Sequence, residues 1–399
     1  MIHYFNPGHE TAILNGSRSY HPSDKVVKMQ EDLAFLPAWY ADPEDYILLP
    51  HGMIVSADLR RNFQNDTANS LINYENVSQS NPEKIKNERV ALWGISPQSI
   101  HFFEKLNKQY SLQLKIPEWK PEFRFLGSRH ASHKALTHLI NMIPEIEGDI
   151  LPQFFSGITE MENYHSKSKQ KQLVKSPYSS SGRGLVWLPP GILARSEKQI
   201  ISGMLKRQSY VSLEKALDKQ LDFSMHFEIN SKNETGFIGY SVFQTNSKGA
   251  YEKSFLSNQS KLEQQVTQFI DPYLLYKVHK VLGDVLQEIY APHYNGNIGV
   301  DMMVYRSGGE YKLHPCVEIN MRKSMGLLAI RLFESHLHPA TNGEFFIAYQ
   351  AQPDIIRQNH STLQAGYPLV SENGLIKKGY LNLCPVTETS NYHAYICMY

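Results

Sequence analysis

Cysteine is scarce in this sequence. Only Cys316, Cys384 and Cys397 occur in 399 residues, and none forms a CxxC pair. That excludes a disulfide framework and a cysteine-built zinc site, and it fits a reducing compartment. An excess of charge of one sign is lacking too. With 40 basic and 39 acidic residues, a formal net charge of +1, neither nucleic acid nor an anionic membrane is required as a partner. No stretch approaches the roughly 20 apolar residues that span a bilayer. The start, Met1-Ile2-His3-Tyr4-Phe5-Asn6-Pro7-Gly8-His9-Glu10, lacks the basic lead and long apolar run of a secretory signal, so a cytoplasmic location is expected. Internal repeats and low-complexity tracts are also missing, and the Lys/Ser/Gln run from Ser166 to Gln172 reads as a solvated loop.

What is present is ordinary for a globular protein: 41% hydrophobic residues, 20% charged, and 23 tyrosines. The length exceeds what one core supports, so two or three domains are expected. Apolar runs at Met1–Phe5, Asp45–Pro50 and Val90–Gly94 predict strands, and Ser96-Pro97 predicts a capped helix start. The polar, Asn-rich stretch from Asp58 to Asn81 gives no assignment. Pro117-Glu118-Trp119-Lys120-Pro121 reads as a connector. After it come a short helix at Ser132–Ile140 with a Ser cap and strands at Leu173–Ser176, Leu185–Leu188 and Tyr210–Glu214. An antiparallel pair, Asp222–Ile229 with Gly236–Phe243, precedes a long helix at Leu274–Tyr290. Beyond about Gln352 only turns and a few short strands are expected.

The most informative stretch is Val317-Glu318-Ile319-Asn320-Met321-Arg322, taken with Gly299-Val300-Asp301-Met302-Met303-Val304. Both read as strands, and Arg306-Ser307-Gly308-Gly309-Glu310 between them reads as a turn. Glu318 and Asn320, two apart on a strand, share a face, and a hairpin carries Asp301 towards them. Three oxygen-bearing side chains on one face suit a hard cation such as Mg²⁺. Glu and Asn also break the preference of an apolar strand, as functional sites tend to do. An exposed sheet face is the plainer alternative.

Other motifs are weaker. Lys175-Ser176-Pro177-Tyr178-Ser179-Ser180-Ser181-Gly182-Arg183-Gly184 can cradle phosphate through backbone N–H groups, although a Ser/Gly hairpin turn is commonly plain structure. Glu214-Lys215-Ala216-Leu217 followed by Asp222 can offer backbone groups to a nucleobase and a carboxylate to a ribose, yet in isolation it is a charged turn. The His130/His133 and His336/His338 pairs lack matching ligands, so zinc is not expected. The Asn6–Glu10 loop reads as a strand-to-helix turn.

Taken in order, these motifs resemble the ATP-grasp superfamily over Trp119 to Tyr349. Glu318-Ile319-Asn320-Met321-Arg322 is close to its E-x-N-P-R segment, with Met321 in place of Pro. The resemblance implies an α/β protein with α+β lobes, an ATP-grasp fold behind an N-terminal α/β domain. The implied segments are 1–117 (N-terminal domain), 118–210 (small lobe), 211–350 (large lobe with the metal site) and 351–399 (C-terminal extension). It implies that Lys134 and Lys175 contact ATP phosphates and that Ser179, Ser180, Ser181 and Gly182 close over the triphosphate. Glu214, Ala216 and Leu217 would be the adenine linker and Asp222 the ribose acid. Asp301, Glu318 and Asn320 would hold Mg²⁺, with Mn²⁺ as the alternative metal, and Arg322 would stand near the γ-phosphate or acyl phosphate. Some carboxylate–amine ligases carry an Arg shortly before the first acidic ligand, where this chain has Asn297-Ile298-Gly299-Val300, so Arg322 or a residue elsewhere would take that role. The implied activity is ATP-dependent ligation of a small-molecule carboxylate to an amine or thiol. The alternatives are a small-molecule kinase on the same scaffold and a non-catalytic nucleotide-binding module. A homodimer is the default assembly.

Overall fold

Ile2–Tyr4 (β1), Tyr46–Leu49 (β2) and Val90–Leu92 (β4) are short apolar runs, as parallel strands covered on both faces must be. They pair in parallel with Ser70–Asn73 (β3) in the order β3-β2-β1-β4. Strand β3 falls inside the Asn-rich stretch that sequence left unassigned. The computed structural model describes residues 1–56, 59, 70–73, 85–178, 184–247 and 249–399. Helices α1 (His9–Asn15), α2 (Asp24–Asp32) and α3 (Pro97–Tyr110) follow the strands. The start of α3 is the predicted one: Ser96 and Ser99 form a reciprocal capping box and Pro97 occupies the first turn. Phe103 of α3 packs with Ile2, Tyr4, Leu48 and Leu92.

Contacts divide the chain into two compact units, each built from separate stretches of sequence. Unit 1 is residues 1–119, 252–261 and 322–399; unit 2 is 120–251 and 262–321.

Unit 2 contains two antiparallel sheets. In the first, Gln153–Phe155 (β5), Val211–Lys215 (β8), Gln172–Lys175 (β6) and Leu185–Leu188 (β7) run in the order β5-β8-β6-β7. Val174, Leu188 and Val211 bury here with Ile201 and Met204 of helix Arg195–Gln208. In the second, Glu310–Asn320 (β13), Gly296–Ser307 (β12), Asp218–Ile229 (β9) and Thr235–Thr245 (β10) are neighbours in that order. Helix α4 (Arg129–Met142) packs on β13 and on α7 (Pro272–Ile289), the longest described helix. Leu275, Val278, Leu282 and Leu286 give α7 its buried stripe, and Asp271 caps it through Tyr273 N–H at 2.7 Å. The helix predicted at Ser132–Ile140 begins earlier than expected, behind Ser128. Ser132 is therefore an interior residue of α4, where its hydroxyl accepts from the Ile319 N–H at 3.0 Å.

Strands β12 and β13 form the predicted hairpin. Ser307 pairs with Glu310 across Gly308 and Gly309, whose φ angles of 61° and 89° suit a two-residue turn that L side chains resist. The ladder slips between Asp301 and Met303, which pair with Glu318 and His314 respectively. The extra residues on β13 include Pro315, which has no N–H to give the ladder and so belongs at such a bulge. The bulge accounts for the long span from Asp301 to Glu318.

The rest of unit 1 is antiparallel. Tyr251–Leu256 (β11), Gly343–Tyr349 (β14), Tyr392–Met398 (β17), Leu375–Asn382 (β16) and Val370–Glu372 (β15) follow in that order. Phe345, Leu383 and Ile396 share one core with Phe35, Leu36 and Trp39 from the N-terminal segment, and with Leu328 and Leu332 of helix Met325–His336. Residues 351–399 thus share a core with the N-terminal segment. They also hold a helix that sequence missed, Pro353–Gly366. Its Pro353 occupies the first turn, a position that suits proline at a helix start.

Candidate active site

Three adjacent strands of unit 2 place a row of polar side chains across one sheet face. Asp301 of β12 is the register partner of Glu318 on β13 and of Ser224 on β9. Asn320, two residues beyond Glu318, shares that face. The Ser224 hydroxyl donates to Asp301 Oδ1 at 2.6 Å, and Asn320 Nδ2 donates to Asp301 Oδ2 at 3.0 Å. The opposite face is apolar, with Val300, Met302 and Ile319 buried. Two carboxylates directly opposite one another in an antiparallel ladder repel. They therefore call for a cation, and one protein cation stands near: Arg129 Nη2 lies 3.6 Å from Glu318 Oε2.

Arg129 was not singled out in the sequence. It opens helix α4, is 6% exposed, and donates through Nε to the Ser176 carbonyl at 2.8 Å. A cation in the first turn opposes the helix dipole, and that local conflict was the available signal. Lys134, the lysine that sequence chose, lies five residues further along α4, about 140° around the helix, and is exposed. His130 and His133 are occupied in aromatic packing: His130 lies 4.2 Å from both Phe154 and Tyr210, and His133 lies edge-on to Phe154.

Lys175 ends β6 and is buried. Its ammonium is ion-paired with Glu214, which lies in β8, the strand predicted at Tyr210–Glu214. The Ser212 hydroxyl donates to Glu214 at 3.1 Å. Burial pushes the Glu214 carboxyl up, but the charges of Lys175 and Arg129 outweigh it and hold the group below the usual range. His314 lies nearby; burial, then the Lys175 charge, lowers its imidazole to about 4 and keeps it neutral. Arg129, Glu214, His314 and Cys316 line one narrow crevice.

The stretch joining β8 to β9 holds Ala216 and Leu217. The Ala216 N–H donates to the Lys171 carbonyl and the Leu217 carbonyl accepts from the Lys219 N–H, both at 3.0 Å. A cavity of about 380 Å³ opens on this stretch, lined by Lys171, Lys215, Ala216, Leu217 and Arg306. Asp222 lies within β9, where Lys219 Nζ at 2.5 Å and the Thr245 hydroxyl at 2.9 Å hold its carboxylate. Ser179, Ser180, Ser181 and Gly182 lie outside the described residues.

Arg322 belongs to unit 1. Its Nε donates to Glu10 Oε1 at 2.6 Å, and the other Glu10 oxygen lies 3.1 Å from His9 Nδ1. Burial alone would raise the Glu10 carboxyl; His9 and Arg322 bring it well below the usual range. Gly94 holds this arrangement against the end of β4, because a Cβ there would stand 2.3 Å from His9 Cγ. The Asn6 side chain closes the same loop, donating to the Gly94 carbonyl at 2.6 Å.

No protein-family model matches the sequence, and no curated protein sequence does. Solved structures match the fold. Biotin carboxylase from Campylobacter jejuni, solved as a β,γ-ATP complex, aligns with 100% of this chain and 87% of its own at a TM-score of 0.53 and 10% identity. The chain has an ATP-grasp fold. An N5-carboxyaminoimidazole ribonucleotide synthetase, solved as an ADP complex, aligns with 100% of this chain and 91% of its own at 0.50 and 11% identity. At these identities the likeness is one of fold, so what this chain does must be argued from its own residues. Among the described residues, no helix is long and apolar enough to cross a membrane.

Proposed function

We propose that this protein is an ATP- and Mg²⁺-dependent ligase that activates a small-molecule carboxylate as an acyl phosphate and joins it to an amine or thiol. The observation that carries the reading is the in-register Asp301/Glu318 pair with Asn320 beside it, on an ATP-grasp fold. Among the described residues no three His, Cys, Asp or Glu side chains are grouped to hold a metal, and the Asn320 amide oxygen would be the third protein ligand. The amide nitrogen faces Asp301, which directs the oxygen away. Two carboxylates and a carboxamide form an all-oxygen set that suits Mg²⁺ or Mn²⁺. Asp301, Glu318 and Asn320 would hold the metal, whose charge would offset that of the phosphate oxygens.

The protein's own part is positioning and charge. Arg129 and Lys175 would donate to phosphate oxygens. Lys134, exposed on α4, is the weaker candidate for that contact. The stretch around Ala216 and Leu217, with its cavity, would take the base, and Asp222 the ribose. A substrate carboxylate oxygen attacks the γ-phosphorus and expels ADP; an amine or thiol then attacks the acyl carbon and expels phosphate. Arg322, two residues along the chain from Asn320, would stabilise the acyl phosphate. No Ser or Cys nucleophile is needed.

The test is ADP and phosphate release by the full chain given Mg·ATP with a panel of small carboxylates and amines. Equal release of both is expected. Glu318→Gln and Asn320→Ala should each lower turnover on the order of 10²-fold or more, the several kcal/mol that metal charge stabilisation supplies. ADP without phosphate would make the protein a kinase, and unchanged turnover in both variants would remove the metal site from the reaction.

A further inference from the structure

We propose that Ser132 is a positioning residue: by accepting the Ile319 N–H, its hydroxyl fixes the Glu318-Ile319-Asn320 segment against the helix that carries Arg129. The inference rests on the ligase reading above, which gives Glu318 and Asn320 to the metal and Arg129 to the phosphates.

Strand β13 is an edge strand, with β12 as its neighbour. Near the site their ladder is short. Gly299/Asn320, Val300/Ile319 and Asp301/Glu318 pair in register, and beyond them the bulge interrupts it. Alternate N–H groups of an edge strand point away from its sheet and need another acceptor. For Ile319 that acceptor is Ser132 Oγ, buried and at 3.0 Å. Ser132 holds β13 a second time, its carbonyl accepting from the Cys316 thiol at 3.6 Å. It is 6% exposed and lies inside α4, where alanine is the better helix former. A buried hydroxyl at such a position calls for a partner, and the Ile319 amide is that partner. Arg129 stands three residues earlier on the same face of α4, with its guanidinium 3.6 Å from the Glu318 carboxylate. One turn of helix therefore meets the segment twice, through a side chain at Arg129 and through the backbone at Ser132. Without the second contact the segment is free to shift on its bulge relative to Arg129, and Glu318 and Asn320 shift with it. Contacts that orient ligands in this way commonly govern metal affinity by 10–100-fold.

The experiment takes two readings on the full chain. Amide hydrogen exchange follows the peptide covering 316–321, and calorimetry measures ADP affinity with Mg²⁺ and with a chelator. The ratio of the two affinities is the contribution of the metal. Ser132→Ala suits the helix and should fold; it should lose protection in that peptide with α7 unchanged, and its affinity ratio should shrink about tenfold. Asp271→Ala removes the cap of α7, the helix packed on α4, and serves as the structural control. It should lower the thermal midpoint and keep the wild-type ratio. A Ser132→Ala protein with wild-type exchange at 316–321, or with a wild-type ratio, overturns the inference and leaves the ligase reading standing. So does an Asp271→Ala protein whose ratio falls as far. A wild-type chain that binds ADP equally with and without Mg²⁺ overturns the ligase reading itself, and this inference with it.

Discussion

Lys175 and Glu214 form an ion pair across neighbouring strands β6 and β8, with side chains only 8% and 13% exposed. Such a pair adds little net stability when intact, because desolvation consumes most of its attraction; breaking it from one side strands a buried charge. Lys175→Met should therefore destabilise the fold by about 3–5 kcal/mol in urea titration, and Lys175→Met/Glu214→Leu should recover most of that. A double variant no better than the single would show that the Glu214 charge is accommodated by Arg129 alone.

Arg129 and Lys134 sit on one helix and compete for one role. Arg129 touches the Ser176 carbonyl and faces Glu318 from a buried position, whereas Lys134 is exposed. Arg129→Ala should cost about 2–4 kcal/mol, in the range of a broken buried pair, and should abolish thermal stabilisation by Mg·ATP. Lys134→Ala should stay within about 0.5 kcal/mol, as exposed positions do, and retain nucleotide binding. Nucleotide binding lost in Lys134→Ala and kept in Arg129→Ala would return the phosphate contact to the lysine.

Much of this was legible in the sequence because period-2 alternation and turn chemistry are local signals. The β12–β13 hairpin, the β9–β10 pair, the Ser96 cap and helix α7 all stand close to where residue patterns put them. What escaped was non-local or locally contradictory. Strand β3 is polar at its ends and is a strand because β2 pairs with it. Glu214 stands in the strand predicted for it, but nothing nearby in sequence reveals Lys175 across the sheet. Ser224 is an inconspicuous residue until Asp301, 77 positions away, is seen to accept its hydroxyl. Unit 1, assembled from three separate stretches of chain, is non-local in the same way.

Buried histidines give the fold a pH dependence of definite sign. Burial lowers His226 and His393 to about 3, and His314 to about 4, from an ordinary value near 6.5. Each is neutral when folded but gains a proton when unfolded below about pH 6.5, so the unfolded state binds more protons there. Stability should be full above that pH and fall as pH drops towards 4 and then 3, with each group contributing up to about 1.4 kcal/mol per pH unit. His226→Gln, which keeps a partner for the Ser241 hydroxyl now 2.9 Å from His226 Nε2, should flatten the slope between pH 6 and 4 by about one group's share. Denaturant midpoints across that range check it, and a slope identical to wild type would mean that His226 titrates normally.

The indole N–H of Trp39 donates to the carbonyl of Leu383 at 2.7 Å, and the two residues are 344 positions apart. At a translation rate of roughly 5–20 residues per second, Trp39 leaves the ribosome about 15–70 s before its partner exists. Phe35, Leu36 and Trp39 belong to a core whose other half, Phe345, Leu383 and Ile396, has not yet been synthesised. For that interval the nascent N-terminal segment lacks the C-terminal half of the core that packs on Phe35, Leu36 and Trp39. How fast the chain is made, and what shelters it meanwhile, bears on the yield of folded protein as directly as any contact in the finished molecule.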